Sequence, residues 1–386
     1  GGNLRPGYDS FGWSNPLETK KKVAGSGHES DWPDRANPAA SYAARVGIAE
    51  DWHSRGRYFS WTPGDDVPTV EVFHVEAGDP DSPTLLLVHG FPTCSVDWVP
   101  LVDRLSDRFH VCTLDFPGYG FSDKPPGWGY SLGRDAQLLD HYLTDIVGTE
   151  SAIVCSHDRG TSVSLLHTIN ATAGRTKTRV EHLILTNGNI FLPLSNLTDF
   201  QRLMLNPESA QAVLEIVTAD MLAAGMGQAT FSPPRDGADP EIAALAATFA
   251  HADGMKVLPE TVQYLVERSA HETEWLESLA AIDVATTVIW GMNDTVAPPR
   301  VALHSWDDFL MLKPGRNRIY LVPDAGHYVQ NDRPDAVVAA LLHSLDPDSD
   351  GAAGPLEHVP GSPVLIDTSR SKMPVSAEVL AGSTIG

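Results

Sequence analysis

Two aspartates and one histidine, each following a separate apolar run, could together perform hydrolysis. Asp158 lies in S-H-D-R-G, Asp294 in W-G-M-N-D and His327 in A-G-H-Y. A carboxylate is ionised at neutral pH and can displace a leaving group from carbon, which produces an ester of the protein. A histidine oriented by a second carboxylate can then activate the water that hydrolyses that ester. The residue types and their order therefore indicate a two-step hydrolase.

The segment around Asp158 fits a sharp turn between a strand and a helix. Such a turn needs small residues two positions on either side of the projecting side chain, and Ser156 and Gly160 supply them. A turn centred on Ser156 would instead need small residues at positions 154 and 158, where valine and aspartate stand. We therefore predict that Asp158 is the nucleophile. The backbone amides of Arg159 and of Phe91, in H-G-F-P-T, are predicted to form an oxyanion hole.

Short apolar runs alternate with helical patterns along most of the chain. Most of these runs are continuously apolar, which is typical of central strands that helices cover on both faces. The helical patterns include 131–147 and 334–346, and the alternation predicts a mostly parallel sheet with right-handed crossovers. The predicted strands span 69–76, 84–89, 110–115, 151–156, 182–187, 286–291 and 317–322.

Composition divides the chain into four parts. The first part is rich in Gly, Pro, Asp and Ser and predicts an extension on the surface with one short helix near 39–50. A helical, strand-poor region interrupts the alternation and predicts a cap over the carboxyl edge of the sheet. The resulting organisation is an N-terminal extension at 1–55, a core at 56–189 and 284–346, a helical cap at 190–283, and a tail of little predictable structure at 347–386.

The chain's composition argues against charged macromolecular partners. Of its 386 residues 42% are hydrophobic, and the net charge is −23, which repels phosphate backbones and anionic lipid heads. No run approaches the ~18–20 apolar residues of a membrane span. We expect a small apolar or neutral substrate, no nucleic-acid or membrane partner and a cytoplasmic location, and leave a homodimer open. Cys94, Cys112 and Cys155 are expected to be buried thiols, and neither a metal nor a cofactor is expected.

Residues 84–345 resemble the aspartate-nucleophile branch of the α/β-hydrolases, which contains epoxide hydrolases, haloalkane dehalogenases and fluoroacetate dehalogenases. The resemblance rests on H-G-F-P, D-F-P-G-Y-G-F-S-D-K-P, S-H-D-R-G, W-G-M-N-D and A-G-H. S-D-K-P, S-H-D-R-G and L-T-N-G-N-I-F together resemble the mesoderm-specific-transcript subgroup. The resemblance implies an α/β-hydrolase fold, namely a mostly parallel eight-stranded sheet with helices on both faces and an inserted helical cap. It also implies a triad of Asp158, His327 and Asp294.

Departures from the family's patterns bear on the substrate. Haloalkane dehalogenases of the family usually hold the halide with a tryptophan directly after the nucleophile, where this chain has Arg159, so Trp98 is only a loose candidate. Fluoroacetate dehalogenases share H-D-R-G, but their second arginine is Ser162 here. Epoxide hydrolases generally protonate the leaving oxygen with two cap tyrosines, and this cap contains only Tyr264.

Four further side chains are candidates for the substrate pocket. His251 and His271 are alternatives to Tyr264 as proton donors, and Asn187 and Asn189 could line the pocket and hold a leaving group or water. We predict a hydrolase that opens an electrophilic carbon substrate, first of all an epoxide, through an aspartyl ester. The alternatives are a haloalkane or haloacid dehalogenase with an atypical halide site, and a non-catalytic ligand-binding protein of the same fold.

Overall fold

A nine-stranded sheet forms the centre of the protein. The computed structural model describes residues 47–64, 66–346 and 364–367. The strand order is β1-β2-β4-β3-β5-β6-β7-β8-β9. The strands are β1 (Arg57–Trp61), β2 (Val70–Ala77), β3 (Thr84–Val88), β4 (His110–Leu114), β5 (Ser151–His157), β6 (Arg179–Thr186), β7 (Ala285–Gly291), β8 (Arg318–Val322) and β9 (Val364–Asp367).

Six adjacent strands are parallel to one another, in the order β4, β3, β5, β6, β7 and β8. Strands β1, β2 and β9 run antiparallel to their neighbours. The prediction of a mostly parallel sheet is confirmed. The sheet has nine strands rather than eight, because β9 comes from the predicted tail and pairs with the edge strand β8. β1 also escaped the sequence analysis: it is a five-residue strand whose residues are mostly exposed, so its apolar signal is weak.

Helices lie between the strands. The predicted helix at 131–147 is an α-helix to His141 followed by a π-helical stretch, Tyr142–Val147. None of the helices in the described ranges has both the length and the apolarity needed to cross a bilayer. The α-helices are α1 (Ile48–Arg55), α2 (Val99–Leu105), α3 (Leu132–His141), α4 (Arg159–Thr172), α5 (Asp199–Met204), α6 (Pro207–Leu214), α7 (Ala219–Thr230), α8 (Pro240–Ala250), α9 (Leu258–Thr261), α10 (Tyr264–Ala270), α11 (Glu272–Ala281), α12 (Pro299–Ser305), α13 (Val329–Asp332) and α14 (Pro334–Leu345).

The segment between β6 and β7 is helical in the region of the predicted cap, because its sequence supplies a start signal for successive helices. Thr198, Asn206, Thr218 and Asp239 precede α5 to α8, and each side chain accepts a hydrogen bond from an amide of the first turn. Prolines occupy the first position of α6 and α8, where the missing N–H costs nothing. α5 to α11 therefore form without an intervening strand in this segment.

The last part of the predicted N-terminal extension belongs to the folded body. α1 buries Trp52 completely, and its indole N–H donates to the Ser95 hydroxyl at 2.9 Å, in the loop after β3. The prediction of a short helix near 39–50 falls mostly on residues 1–46, which lie outside the described residues. Its described part contains the start of α1, at 48–55.

Candidate active site

Asp158 occupies the sharp turn between β5 and α4. Its backbone has φ 47° and ψ −120°, a conformation that costs a non-glycine residue of order 1–3 kcal/mol. A Cβ atom at Gly160 would lie 2.5 Å from the carbonyl oxygen of His89, so the small residue that the sequence placed there is required. The turn projects the Asp158 side chain beyond the carboxyl end of the sheet, as predicted.

The two carboxylate oxygens of Asp158 have different surroundings. The Phe91 amide donates to Oδ2 at 2.9 Å, whereas Oδ1 accepts from Asn189 Nδ2 at 3.2 Å and lies 3.6 Å from His327 Nε2. A Cβ atom at Gly90 would lie 2.5 Å from Asp158 Cβ, so glycine permits this close approach of the loop after β3. Oδ2 therefore accepts from the Phe91 amide, one of the two predicted oxyanion donors, and Oδ1 faces His327.

The carboxylate of Asp294 orients the His327 ring. Its Oδ2 lies 2.9 Å from His327 Nδ1, and its Oδ1 accepts from the amides of Val296 at 2.7 Å and Ala297 at 2.9 Å. His327 is 3% exposed and Asp294 is 4% exposed. The structure thus brings together the three predicted residues, with the imidazole between the two carboxylates.

Asn187 has a different place from the one predicted. It does not face the pocket with Asn189 but joins the end of β6 to the turn after β7. Its Nδ2 donates to Asp294 Oδ2 at 2.8 Å, and its Oδ1 accepts from the Gly291 amide at 2.9 Å. The backbone at Asn187 has φ 34°, which turns the side chain towards Asp294 while Asn189 reaches Asp158. The pocket-lining prediction for Asn187 is therefore wrong, and the residue holds the acid of the triad.

Charges in this cluster shift the pKa values of His327 and Asp158. Burial acts to lower the pKa of His327, but the charge of Asp294 and the hydrogen bonds with Asp158 and Asp294 outweigh it and raise the pKa to about 10. Burial acts to raise the pKa of Asp158, yet the hydrogen bond and charge of His327 lower it below its ordinary value. The resting site is therefore an imidazolium held between two carboxylates.

This ion cluster predicts a pH dependence of stability. Since the pKa of His327 is about 10 in the folded protein and ordinarily 6.5, the folded state holds the proton more tightly. The resulting stabilisation is complete below about pH 6.5 and is lost as pH rises through about 10. We expect the thermal unfolding midpoint to fall across this window more steeply for wild type than for His327→Gln. Parallel curves for the two proteins would contradict the charged triad.

The side chain of Arg159 lies in a buried cage of aromatic rings. Its guanidinium carbon is 5.2–5.5 Å from the ring centroids of Phe116, Tyr119 and Tyr264. One terminal nitrogen pairs with the Asp135 carboxylate, and the guanidinium is 1% exposed. Arg159 is the first residue of α4, so its backbone N–H has no acceptor within the helix. This N–H is therefore free of the helix's own hydrogen bonds, as an oxyanion donor must be. The sequence does not predict this cage, because Phe116 and Tyr119 come from the loop after β4 and Tyr264 from α10, far apart in the chain.

Tyr264 lies in the candidate site and not on the surface. Its ring is 5.7 Å from that of Phe91, and its hydroxyl is buried without a hydrogen bond of good geometry to any described residue. Burial raises the pKa of Tyr264 well above its ordinary value, and the charge of Asp158 raises it further. The hydroxyl therefore keeps its proton and has it available for donation.

Three other candidates lie away from Asp158. The ring of Trp98 is 6.5 Å from that of His157, and no described contact joins it to the Asp158 carboxylate. His271 is half exposed and pairs with Glu274 at 3.2 Å, and His251 packs edge-on against Phe121, with 5.1 Å between the ring centroids. The structure therefore gives no support to either histidine as a proton donor or to Trp98 as a halide ligand.

Arg268 is a further residue at the site that the sequence analysis missed. It is fully buried, its guanidinium lies 5.0 Å from the Trp275 ring centroid, and it donates to the carbonyl oxygens of Asn189 and Ile190. This contact fixes the loop that carries Asn189, whose side chain reaches Asp158. A lone arginine on an amphipathic helix carries no sequence signal for such a role.

Comparisons with known proteins bear on the family of the chain. The sequence profile described as alpha/beta hydrolase family matches residues 85–340. The chain is 30% identical over 295 residues to the Mycobacterium tuberculosis protein LipZ, covering 76% of this chain and 97% of LipZ. It is 29% identical over 299 residues to the human mesoderm-specific transcript homolog protein, covering 75% of this chain and 86% of that protein. Haloalkane dehalogenase 2 of Mycobacterium tuberculosis is 26% identical over 283 residues, covering 70% and 90%.

Solved structures share the fold. An esterase from Thermogutta terrifontis has a TM-score of 0.61 at 20% identity and covers 75% of this chain and 98% of its own. An epoxide hydrolase from metagenomes of hot environments has a TM-score of 0.58 at 21% identity and covers 75% and 98%. At these identities the likeness concerns the architecture, and it confirms the predicted α/β-hydrolase fold.

Proposed function

The chain belongs to the alpha/beta hydrolase family, and within that family we propose that it hydrolyses an electrophilic carbon substrate, first of all an epoxide, through an ester on Asp158. One observation carries the proposal: a single buried carboxylate receives an oxyanion donor at Oδ2 and faces an Asp294-oriented imidazole at Oδ1. A serine esterase would need a hydroxyl where Asp158 stands. Asp158 is only 2% exposed, so its carboxylate is shielded from bulk solvent.

In the first step, Asp158 Oδ1 attacks the electrophilic carbon. Oδ2 is held by the Phe91 amide at 2.9 Å, which leaves Oδ1 as the attacking atom. A new bond forms between Oδ1 and carbon as the bond from carbon to the leaving oxygen breaks, and the released oxygen takes up a proton. The low pKa of Asp158 keeps the nucleophile ionised without a general base.

In the second step, His327 activates water against the ester. Esterification removes the charge of Asp158, one of the causes that raise the pKa of His327, so the imidazole loses its proton more readily than in the resting protein. The neutral imidazole, held by Asp294, then deprotonates a water molecule that attacks the carboxyl carbon of Asp158. The oxyanion develops on Oδ2 and faces the Phe91 amide. When it collapses, the bond between the carboxyl carbon and Oδ1 breaks, and Oδ1 leaves with the product after taking the proton that His327 accepted from water.

Tyr264 favours an epoxide over a halide. The alkoxide that leaves an opened epoxide needs a proton, whereas a departing halide does not. The hydroxyl of Tyr264 is protonated and has no hydrogen bond of good geometry among the described residues, so it can supply that proton. The Arg159 guanidinium, 5.5 Å from the Tyr264 ring centroid, and the Asn189 side chain partly offset the burial that raises the pKa of Tyr264. We therefore assign Tyr264 as the acid of the first step.

The variant Tyr264→Phe tests this assignment. It removes only the hydroxyl, so we expect formation of the Asp158 ester from a terminal epoxide to slow by about 10²–10⁴-fold, the usual contribution of a positioned acid. Ester formation from an alkyl halide should change by a few-fold at most. The measurement is the rate of ester formation in single turnover. The matched control is Tyr119→Phe, whose hydroxyl lies 3.5 Å from the Thr261 carbonyl oxygen and should leave both rates nearly unchanged. Equal slowing for both substrates would remove Tyr264 as the acid.

A carbon–halogen hydrolase is the second candidate. The supporting observation is the Asn189 amide, which donates to Asp158 Oδ1 at 3.2 Å and could turn to a departing halide. Similarity to haloalkane dehalogenase 2 adds to it. Incubation with matched epoxides and alkyl halides distinguishes the two functions, because one releases a diol and the other a halide ion. Halide release without diol formation from any epoxide would replace the first proposal by the second.

A further inference from the structure

Three metal-ligating side chains converge on the antiparallel pair β2–β4, outside the candidate active site. Glu76 of β2 lies directly opposite Cys112 of β4, and His110 precedes Cys112 by two residues on the same face of the strand. The Nε2 atom of His110 is 2.9 Å from Glu76 Oε2 and 3.7 Å from Cys112 Sγ. One ligand atom from each of the three residues lies within 4.8 Å of the other two.

The cluster lies at the other end of the strands from Asp158. His110 is the first residue of β4, and Glu76 is the second-last residue of β2, which runs antiparallel to β4. The candidate active site is at the carboxyl ends of the parallel strands, in the turns that follow β3 and β5. The chemistry of the cluster is therefore not used by the proposed hydrolysis.

We propose that Glu76, His110 and Cys112 bind one zinc-class divalent cation. Thiolate, imidazole and carboxylate together are donors that zinc prefers, while magnesium and calcium prefer oxygen alone. Tetrahedral zinc holds nitrogen, oxygen and sulfur ligands roughly 3.3–3.6 Å apart, given its usual bond lengths. The 3.7 Å between Cys112 Sγ and His110 Nε2 is already close to that spacing. The 2.9 Å hydrogen bond between His110 and Glu76 opens by about half an ångström when the shared proton is displaced.

A fourth ligand and a route for the ion are also present. His74 Nδ1 lies 3.5 Å from the other carboxylate oxygen of Glu76, so His74 is the nearest additional donor, with water as the other source. His74 is 5% exposed, and its Nδ1 lies 3.4 Å from the Tyr142 hydroxyl, a contact that an ion at Nδ1 would replace. The Glu76 side chain is 19% exposed and joins the buried donors to solvent.

The charges of the cluster suit a dication. Cysteine binds zinc as a thiolate, so binding of the ion displaces the thiol proton of Cys112. The thiolate and the Glu76 carboxylate then balance the two positive charges of the ion. Among the described residues, Arg57 is the arginine that faces Glu76, with 3.5 Å between its terminal nitrogen and the Glu76 carboxylate. Its side chain is 75% exposed and can turn into solvent.

Titration of the whole protein with Co²⁺ tests the site. A cobalt–thiolate bond gives a sulfur-to-metal charge-transfer band in the near ultraviolet, and we expect this band to saturate at one ion and to disappear when Zn²⁺ displaces Co²⁺. Cys112→Ser should abolish the band. Glu76→Gln, at a partly exposed position that tolerates substitution, should keep the band and weaken Co²⁺ binding at least about tenfold.

The control is Cys155→Ala, which removes a buried thiol from β5, a strand that does not pair with β2 or β4. This variant should bind Co²⁺ as wild type does. Circular dichroism checks whether each variant is folded. If Cys112→Ser does not fold, the test of the site rests on Glu76→Gln and His110→Asn. Absence of the band in wild type, or a band and affinity that the Glu76, His110 and Cys112 substitutions leave unchanged, would overturn the proposal.

Discussion

Asp158→Ala should lower turnover of the substrate by roughly 10⁴–10⁶-fold, the loss seen when a nucleophile is removed from a hydrolase triad. The reason is that no other described side chain can take over the attack: Oδ1 of Asp158 faces both His327 and Asn189, and the Phe91 amide holds Oδ2. The measurement is steady-state hydrolysis of an epoxide panel, with circular dichroism to establish that the variant folds.

Ser156→Ala is the matched control for this prediction. Ser156 is the only other residue of S-H-D-R-G that could resemble a serine nucleophile, and its hydroxyl is buried and donates to the Ile184 carbonyl oxygen at 3.2 Å. Alanine preserves the small size that the turn needs, so activity should stay within a few-fold of wild type. A severe loss in Ser156→Ala together with an active Asp158→Ala would reverse the assignment of the nucleophile.

His327→Gln should stop the reaction after its first step and leave a covalent ester on Asp158. The first step needs no general base because the carboxylate is ionised, whereas the second needs the His327–Asp294 pair to deprotonate water. Ester hydrolysis should slow by about 10²–10⁴-fold or more, so the ester accumulates to one equivalent. Intact-protein mass spectrometry detects the added mass, and peptide mapping locates it.

His271→Gln provides the control, because His271 is half exposed, belongs to the helical segment and lies outside the candidate site. That variant should show no accumulated ester. The result also addresses a non-catalytic ligand-binding function. If neither epoxides nor halides give an ester on Asp158 in the His327→Gln protein, a binding role becomes the better account of this chain.

The part of the site that sequence reasoning found depends on local rules. The turn around Asp158 requires small neighbours at fixed positions, and the polar loops after β7 and β8 carry Asp294 and His327 to one edge of a parallel sheet. Both rules act within a few residues, so single motifs reveal them. The same reasoning predicted the strands from β2 to β8 to within a few residues.

The errors concern side chains whose direction is set by distant contacts. Asn187 and Asn189 are two residues apart and chemically identical, yet one holds Asp294 and the other holds Asp158. A positive φ at Asn187 and the position of β7 decide between the two directions, and neither is visible in L-T-N-G-N. For the same reason, Arg268 could not be connected with the loop at Asn189, 79 residues earlier in the chain.

Spacing along the chain does not reveal the cluster on β2 and β4, because only two of its three ligands, His110 and Cys112, share a segment. Glu76 and Cys112 become neighbours only through the antiparallel register of the two strands. The H-V-C sequence at 110–112 predicts part of a buried strand, and the structure confirms this. The candidate metal site therefore becomes visible only from the register of β2 and β4, and not from the spacing of its residues along the chain.

Single turnover in water enriched with heavy oxygen tests the covalent mechanism most directly, with the protein in excess over an epoxide. The proposed pathway transfers an original oxygen of Asp158 to the product and puts the oxygen of water into the carboxylate. We therefore predict unlabelled diol and a labelled Asp158 peptide after one turnover. A labelled diol together with an unlabelled Asp158 peptide would show that water attacks the substrate directly, and would contradict the central claim.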